Sequence, residues 1–349
     1  MSVTTVIYPG AILELQFILT KLNSKKIFLV TGKKSYELCG AKVKIDEIVP
    51  NQNIIHFNDF NVNPDSKDVR RGIQLLKEND CDLIISVGGG SAIDMAKLIN
   101  YYHSLEGDDE IIESTIKNEA PSLLKHICIP TTAGSGSEAT HFAVMYIGDT
   151  KYSVAHQELI PNYTIVDPEF HYSQTPYQKT VSGVDALAQS IESFWSLQST
   201  EESRTYSEKA LRLVWENLPK AVHQGDHSAH LNLAVGAYLA GKAINIAKTT
   251  AAHALAYGFT KKLRIPHGHA VSISIPFFIE VHSVDSQENP NSSRHLIEAM
   301  NVIKEVANVD NKELAAAFES FFTDLGLTLD YNELNITREI FNEIVDQVN

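Results

Sequence analysis

The feature that most constrains the fold is one junction. Asp82-Leu83-Ile84-Ile85-Ser86-Val87 runs into Gly88-Gly89-Gly90 and then into Ser91-Ala92-Ile93-Asp94-Met95-Ala96-Lys97. The first run reads as a buried strand and the last as a helix, so the glycines form a βα turn. Glycine lets the backbone approach a phosphate closely, and the helix that follows offers unpaired N–H groups and the positive end of its dipole. Ser91 suits an N-cap or a phosphate donor. Such a turn fits a pyrophosphate, and it also fits a tight connection without ligand. It is not the G-x-G-x-x-G fingerprint of the standard dinucleotide fold.

The same alternation fills the first half of the chain. Lys26–Thr31 and Ile54–Phe57 read as strands, Asp68–Glu78 as a helix, Asp82–Val87 as a strand, Ser91–Tyr101 as a helix and His126–Pro130 as a strand. That order predicts a mostly parallel sheet with helices on both faces. From about Ser182 helical periodicity takes over, in Val184–Trp195, Glu202–Asn217, Ala229–Ala247, Thr249–Thr260, Val271–Glu280 and several stretches after His295. Leu334–Asn349 reads as one further helix or two short ones. With 349 residues, more than one core usually holds, two domains are expected, 1–178 as α/β and 179–349 as all-α.

A net charge of −14 argues against nucleic acid or an anionic membrane as the main partner. No apolar run approaches the ~18 residues of a membrane span. The opening Met-Ser-Val-Thr-Thr has no basic-then-apolar leader pattern, and three cysteines, Cys39, Cys81 and Cys128, show no paired spacing. A cytoplasmic protein with reduced thiols is expected.

Three further groups carry chemistry. Pro130-Thr131-Thr132-Ala133-Gly134-Ser135-Gly136-Ser137-Glu138 is a second small-residue loop after a strand, where open α/β sheets bind ligands. Asp185 and Gln189 stand four apart and share a helix face. His253, His267 and His269 follow much later. A carboxylate and two imidazoles suit Fe²⁺ or Zn²⁺, though most of the 14 histidines of such a chain serve other ends.

Taken together these segments resemble the iron-containing (group III) alcohol dehydrogenases. Gly88–Lys97 and Pro130–Glu138 are similar to that family's glycine and hydroxyl signatures. Gly183-Val184-Asp185-Ala186-Leu187, with Glu192 following, is similar to its first metal-binding helix, and His253 with Pro266-His267-Gly268 to its second ligand pair. The resemblance covers essentially the whole chain. It implies a Rossmann-like N-terminal domain, a helical C-terminal domain of the type shared with dehydroquinate synthase, a divalent metal in the cleft between them, a small aldehyde or alcohol substrate, and a homodimer or higher homo-oligomer. By resemblance the cofactor contacts are Gly88, Gly89, Gly90, Ser91, Asp94, Thr131, Thr132, Ser135 and Ser137. The metal ligands are Asp185, His253, His267 and Gln189, the last standing where the family usually has histidine. His269 and Tyr257 are candidates for a proton relay, Tyr257 also for simple packing.

Asp185–Ser203 and Ala243–Ala254 resemble the phosphonoacetaldehyde reductase branch, which forms 2-hydroxyethylphosphonate. A phosphonate needs donors and positive charge. Lys248, Thr249, Arg264 and Lys151 are the candidates. After Leu29-Val30-Thr31, Gly32 stands where NAD-preferring relatives carry an aspartate, and Lys33 or Lys34 follows. NADPH is therefore expected to be accepted and preferred over NADH. The rival readings are a general alcohol or aldehyde dehydrogenase, a lyase of the dehydroquinate synthase type, and a silent nucleotide-binding protein.

Overall fold

The computed structural model describes residues 3–49, 53–103, 123–148, 150–346 and 348. The chain divides into two compact units, Met1–Thr132 with Ser137–Ser173, and Ala133–Gly136 with Gln174–Asn349.

The first unit is built on a six-stranded parallel sheet. Its strands are β1 (Thr4–Ile7), β2 (Lys26–Thr31), β3 (Asn53–Phe57), β4 (Leu83–Gly88), β5 (Lys125–Pro130) and β8 (Tyr163–Val166), in the order β1-β8-β5-β4-β2-β3. Both faces are covered. Along β2, Phe28 and Val30 join one core with Ile84, Met95 and Ile99, while Ile27 and Leu29 join the other with Leu15, Ile45 and Ile85. Side chains alternate across a strand, so a continuous apolar run feeds two cores at once. Helices α1 (Glu14–Leu22), α2 (Ser35–Leu38), α3 (Ala41–Ile48), α4 (Ser66–Glu78) and α5 (Gly90–Tyr102) complete the layers among the described residues. An antiparallel pair, β6 (Phe142–Ile147) and β7 (Thr150–Ala155), lies apart from the main sheet. Sequence patterning misses that pair and the two four-residue strands β1 and β8, which are too short to show a period.

Helix α5 is pinned by its own charged residues. Buried Lys97 donates to Thr140 O (2.7 Å), Thr140 Oγ1 (3.1 Å) and Phe142 O (3.0 Å), and Asp94 Oδ2 accepts from Val144 N (3.0 Å). These bonds tie α5, and the glycine turn at its start, to the base of the hairpin.

The second unit is helical: α6 (Pro176–Trp195), α7 (Glu201–Pro219), α8 (His227–Ala247), α9 (Ala251–Leu263), α10 (His267–Ser272), α11 (Ile275–Glu288), α12 (Arg294–Ala307), α13 (Leu314–Asp324) and α14 (Arg338–Asp346). Leu187, Leu211, Phe259, Phe318 and Phe322 centre its core. Three boundaries differ from the sequence expectation. Pro176, read as linker, occupies the first turn of α6, where a missing N–H costs nothing, and Thr175 and Gln178 form a capping box. The stretch read as Val271–Glu280 is two helices, parted just before Pro276. The helix expected from Thr249 begins at Ala251. Of the expected C-terminal helix, 347 and 349 lie outside the described residues. No helix among the described residues is long and apolar enough to cross a membrane.

Candidate metal centre and dinucleotide turn

In the first unit, α5 begins at Gly90 with Gly89 as its N-cap and no side-chain cap, so its first N–H groups remain presented to a ligand. A Cβ on Gly88 would lie 2.8 Å from Ala92 Cβ and 3.3 Å from Gly32 N, so only glycine fits there. A Cβ on Gly89 would meet Thr132 Cγ2 and Oγ1 at 3.4 Å, which places the Thr132 side chain against the turn. Thr131 N donates to Gly88 O (2.9 Å). Ser91 Oγ accepts from Asn63 N (3.2 Å).

The residues around the turn and the second small-residue loop also make structural contacts. Asp94 is fully buried, takes the bonds of Val144 N and Ser137, and has its carboxyl pushed up by burial against the opposing pull of Lys97. It supports the turn from behind. Gly134 and Gly136 serve packing within the second unit: a Cβ would lie 2.8 Å from Ser182 O at the first and 2.4 Å from Gly241 Cα at the second. Ser135 offers its carbonyl to Gln189 Nε2 (3.3 Å). Lys33 pairs with Asp59 (3.3 Å).

In the second unit α6, α9 and α10 bring Asp185, His253 and His267 together, with one donor atom from each inside a mutual span of 4.8 Å. Gly268 makes that approach possible, because a Cβ there would lie 1.8 Å from Val181 O and 3.2 Å from Asp185 Cβ. Asp185 Oδ1 and His253 Nε2 face each other at 3.4 Å. Both are buried without a hydrogen-bond partner, and so is Gln189 Oε1. Two orphaned ligand atoms that face each other, beside His267, are costly in a core and fit a divalent cation. Gln189 bonds Ser135 O through Nε2 (3.3 Å), and its amide lies beside Asp185.

Glu192, one turn beyond Gln189, holds the arrangement. Its Oε2 bonds His253 Nδ1, and its Oε1 accepts from Thr250 N (2.9 Å), Thr250 Oγ1 (2.7 Å), Ala252 N (3.1 Å) and His253 N (3.3 Å). A carboxylate from α6 thus caps the amino end of α9 and orients the imidazole with Nε2 toward the ligand cluster. Burial alone would lower the His253 pKa, but the Glu192 and Asp185 carboxylates outweigh it and raise the group to about 9. Burial would raise both carboxyls, yet His253 holds them below the ordinary range. The residues present suit a metal that displaces a proton on binding. Sequence reasoning had Glu192 only as part of a motif; its signal was the spacing Asp185, Gln189, Glu192, which is one helix face.

The proton-relay candidates are both tied to neighbours within the second unit. His269 Nδ1 bonds Tyr177 Oη (2.9 Å) and its Nε2 bonds Thr328 O (2.8 Å), so both ring nitrogens are committed. Tyr257 stacks on the His267 ring at 4.8 Å and 22°, which sets the orientation of a ligand. Lys248 ends α8 at φ 64°, ψ 175°, a region natural to glycine. Its ammonium is partly buried, which lowers its pKa. Arg264 is exposed at the far end of α9, about 20 Å of helix rise from Lys248, so the two do not form one clamp. In the first unit burial lowers Lys151 to about 7 against the opposing field of Asp94.

Comparison with known proteins agrees with this geometry. The profile "Iron-containing alcohol dehydrogenase" matches residues 3–168, and "Fe-containing alcohol dehydrogenase family, C-terminal" matches 179–349. Long-chain-alcohol dehydrogenase 1 of Geobacillus thermodenitrificans is 30% identical over 79% of this chain and 73% of its own length. The NADPH-dependent butanol dehydrogenase of Clostridium saccharobutylicum is 29% identical over 82% and 79%. The crystal structure of sulfoacetaldehyde reductase from Bifidobacterium kashiwanohense in complex with NAD+ superposes with a TM-score of 0.87 at 27% identity, covering 99% of this chain and 90% of that one. The chain belongs to the iron-containing alcohol dehydrogenase family. It is an NAD(P)-dependent alcohol dehydrogenase or aldehyde reductase that works with a divalent metal.

Proposed function

We propose that this enzyme reduces phosphonoacetaldehyde to 2-hydroxyethylphosphonate: aldehyde, NAD(P)H and a proton give alcohol and NAD(P)+. The observation that carries the substrate is Lys248. A lysine held in a glycine-like backbone conformation, with its ammonium partly desolvated, stands two residues before Thr250, which is bonded to Glu192 of the metal centre. Strain of about 1–3 kcal/mol persists where a side chain must be aimed. Lys248 and Thr249 bind the tetrahedral anion. Sulfoacetaldehyde, named for the solved relative, carries a comparable anion on the carbon next to the aldehyde.

Asp185, His253 and His267, with the Gln189 amide oxygen, would hold Fe²⁺ or Zn²⁺, which would supply Lewis-acid polarisation of the carbonyl oxygen, while a bound nicotinamide would supply the hydride. Glu192 keeps Nδ1 of His253 protonated so that Nε2 is a ligand, and Tyr257 fixes the ring of His267. The proton for the product comes from solvent or through His269, which is hydrogen-bonded to Tyr177 Oη and Thr328 O.

The test follows nicotinamide absorbance on metal-loaded enzyme with phosphonoacetaldehyde, sulfoacetaldehyde and acetaldehyde. Preference for phosphonoacetaldehyde that is lost in Lys248→Ala supports the reading. Equal or better rates with acetaldehyde remove the anion and leave a general alcohol or aldehyde dehydrogenase, the activity class named for the alcohol and butanol dehydrogenase relatives.

A further inference from the structure

Strand β2 lies between β4 and β3, so the carboxyl ends of all three strands are neighbours. Gly32 and Lys33 abut the glycine turn, since a Cβ on Gly88 would be 3.3 Å from Gly32 N. A dinucleotide with its pyrophosphate on α5 lays its adenosine ribose over the end of the next strand, where an acid ordinarily accepts the 2′-hydroxyl. No acid ends β2: Gly32 stands there, and Ser35 Oγ lies 2.3 Å from where its Cβ would be.

The next strand outward supplies one. Asp59, two residues after β3, is bonded by Arg71 Nη1 at Oδ2 (2.9 Å) and paired with Lys33 Nζ at Oδ1 (3.3 Å). Arg71 Nη2 also reaches Asp59 O and Asp68 Oδ1. Beside them a cavity of about 350 Å³ is lined by His56, Asn58, Asp59, Arg71, Gln74 and Glu78, among others. Two cations are thus already matched by Asp59 and Asp68, and Glu78 adds a third carboxylate. A neutral ribose hydroxyl can donate to Asp59, whereas a 2′-phosphate dianion meets a neutral-to-negative cluster.

We propose that Asp59, held between Lys33 and Arg71, replaces the acid missing after β2 and selects NADH over NADPH. This reverses the preference expected from Gly32 and Lys33 in the sequence, because Lys33 is committed to Asp59. The assignment rests on the glycine turn holding the dinucleotide and is independent of the aldehyde.

The experiment measures Kd of NADH and NADPH by nicotinamide fluorescence, with adenosine 5′-monophosphate and adenosine 2′,5′-bisphosphate as competitors. The proteins are the wild type, Asp59→Asn, and Asp59→Asn combined with Lys33→Ala. Both altered side chains, Asp59 and Lys33, are largely exposed, so the fold is retained. Wild type binds NADH more tightly. Asp59→Asn shifts the NADPH-to-NADH affinity ratio toward NADPH by at least about tenfold, from removal of one like charge near a dianion. Adding Lys33→Ala cancels that gain. A wild type that prefers NADPH, or a ratio in Asp59→Asn within twofold of wild type, overturns the assignment. Failure of both dinucleotides to bind the wild type overturns the reading of the turn itself, and the assignment with it.

Discussion

Glu192→Gln is the sharpest perturbation of the metal centre. Four donors from Thr250, Ala252 and His253 converge on Oε1, so the glutamine oxygen must stay on that side. The amide NH₂ is then turned toward His253 Nδ1. Two donors cannot face each other, so the imidazole surrenders its Nδ1 proton and carries one on Nε2 instead. That is the atom aimed at the ligand cluster. The cap on α9 survives while the ligand atom is blocked. Loss of such an outer partner weakens metal affinity by about 10–100-fold, or about 1.4–2.7 kcal/mol. Competition against a chromophoric chelator, with Zn²⁺ and with Co²⁺, measures it. Zinc affinity within twofold of wild type, in a variant whose circular dichroism is unchanged, would refute the tautomer argument.

Other outcomes follow from single contacts. Gly268→Ala forces a Cβ into Val181 O, a backbone atom that cannot yield, so the thermal midpoint falls by at least about 5 °C and His267 is lost as a ligand; calorimetry and metal content check both. Lys248→Gly relieves backbone strain that Lys248→Ala retains, so it melts higher than the alanine variant, while both raise KM for phosphonoacetaldehyde by about tenfold and leave KM for acetaldehyde unchanged. Lys151 has a folded pKa of about 7, depressed by burial from its unfolded value. Between that pH and about 10 the unfolded chain binds the extra proton, so folding stability rises with pH across that window. Lys151→Met removes that slope in denaturant titrations at pH 7, 8 and 9.

The parallel sheet and the glycine turn are legible in the sequence because strands covered on both faces read as unbroken apolar runs. The residues that cluster as candidate ligands, Asp185, His253 and His267, stand in recognisable segments of the sequence too. What stays hidden is set by partners remote in sequence. Glu192 meets the start of α9 some sixty residues on, Asp59 after β3 meets Lys33 after the neighbouring β2, and His269 is tied to Thr328. No local pattern shows which partners the two ring nitrogens of His269 take. Glycines mislead for the same reason: Gly134 and Gly136 look like a ligand loop, but each is demanded by close packing against Ser182 and Gly241.

The central claim is that the buried cluster of Asp185, Gln189, His253 and His267 holds one divalent ion needed for aldehyde reduction. The direct measurement is anaerobic titration of metal-free protein with Fe²⁺, and separately with Zn²⁺, while aldehyde-dependent oxidation of NADH and NADPH is followed. Activity is expected to rise in proportion to bound ion and stop at one equivalent per chain, with neither binding nor activity in His253→Ala. Full activity in thoroughly chelated protein, or an ion retained by His253→Ala, would contradict it.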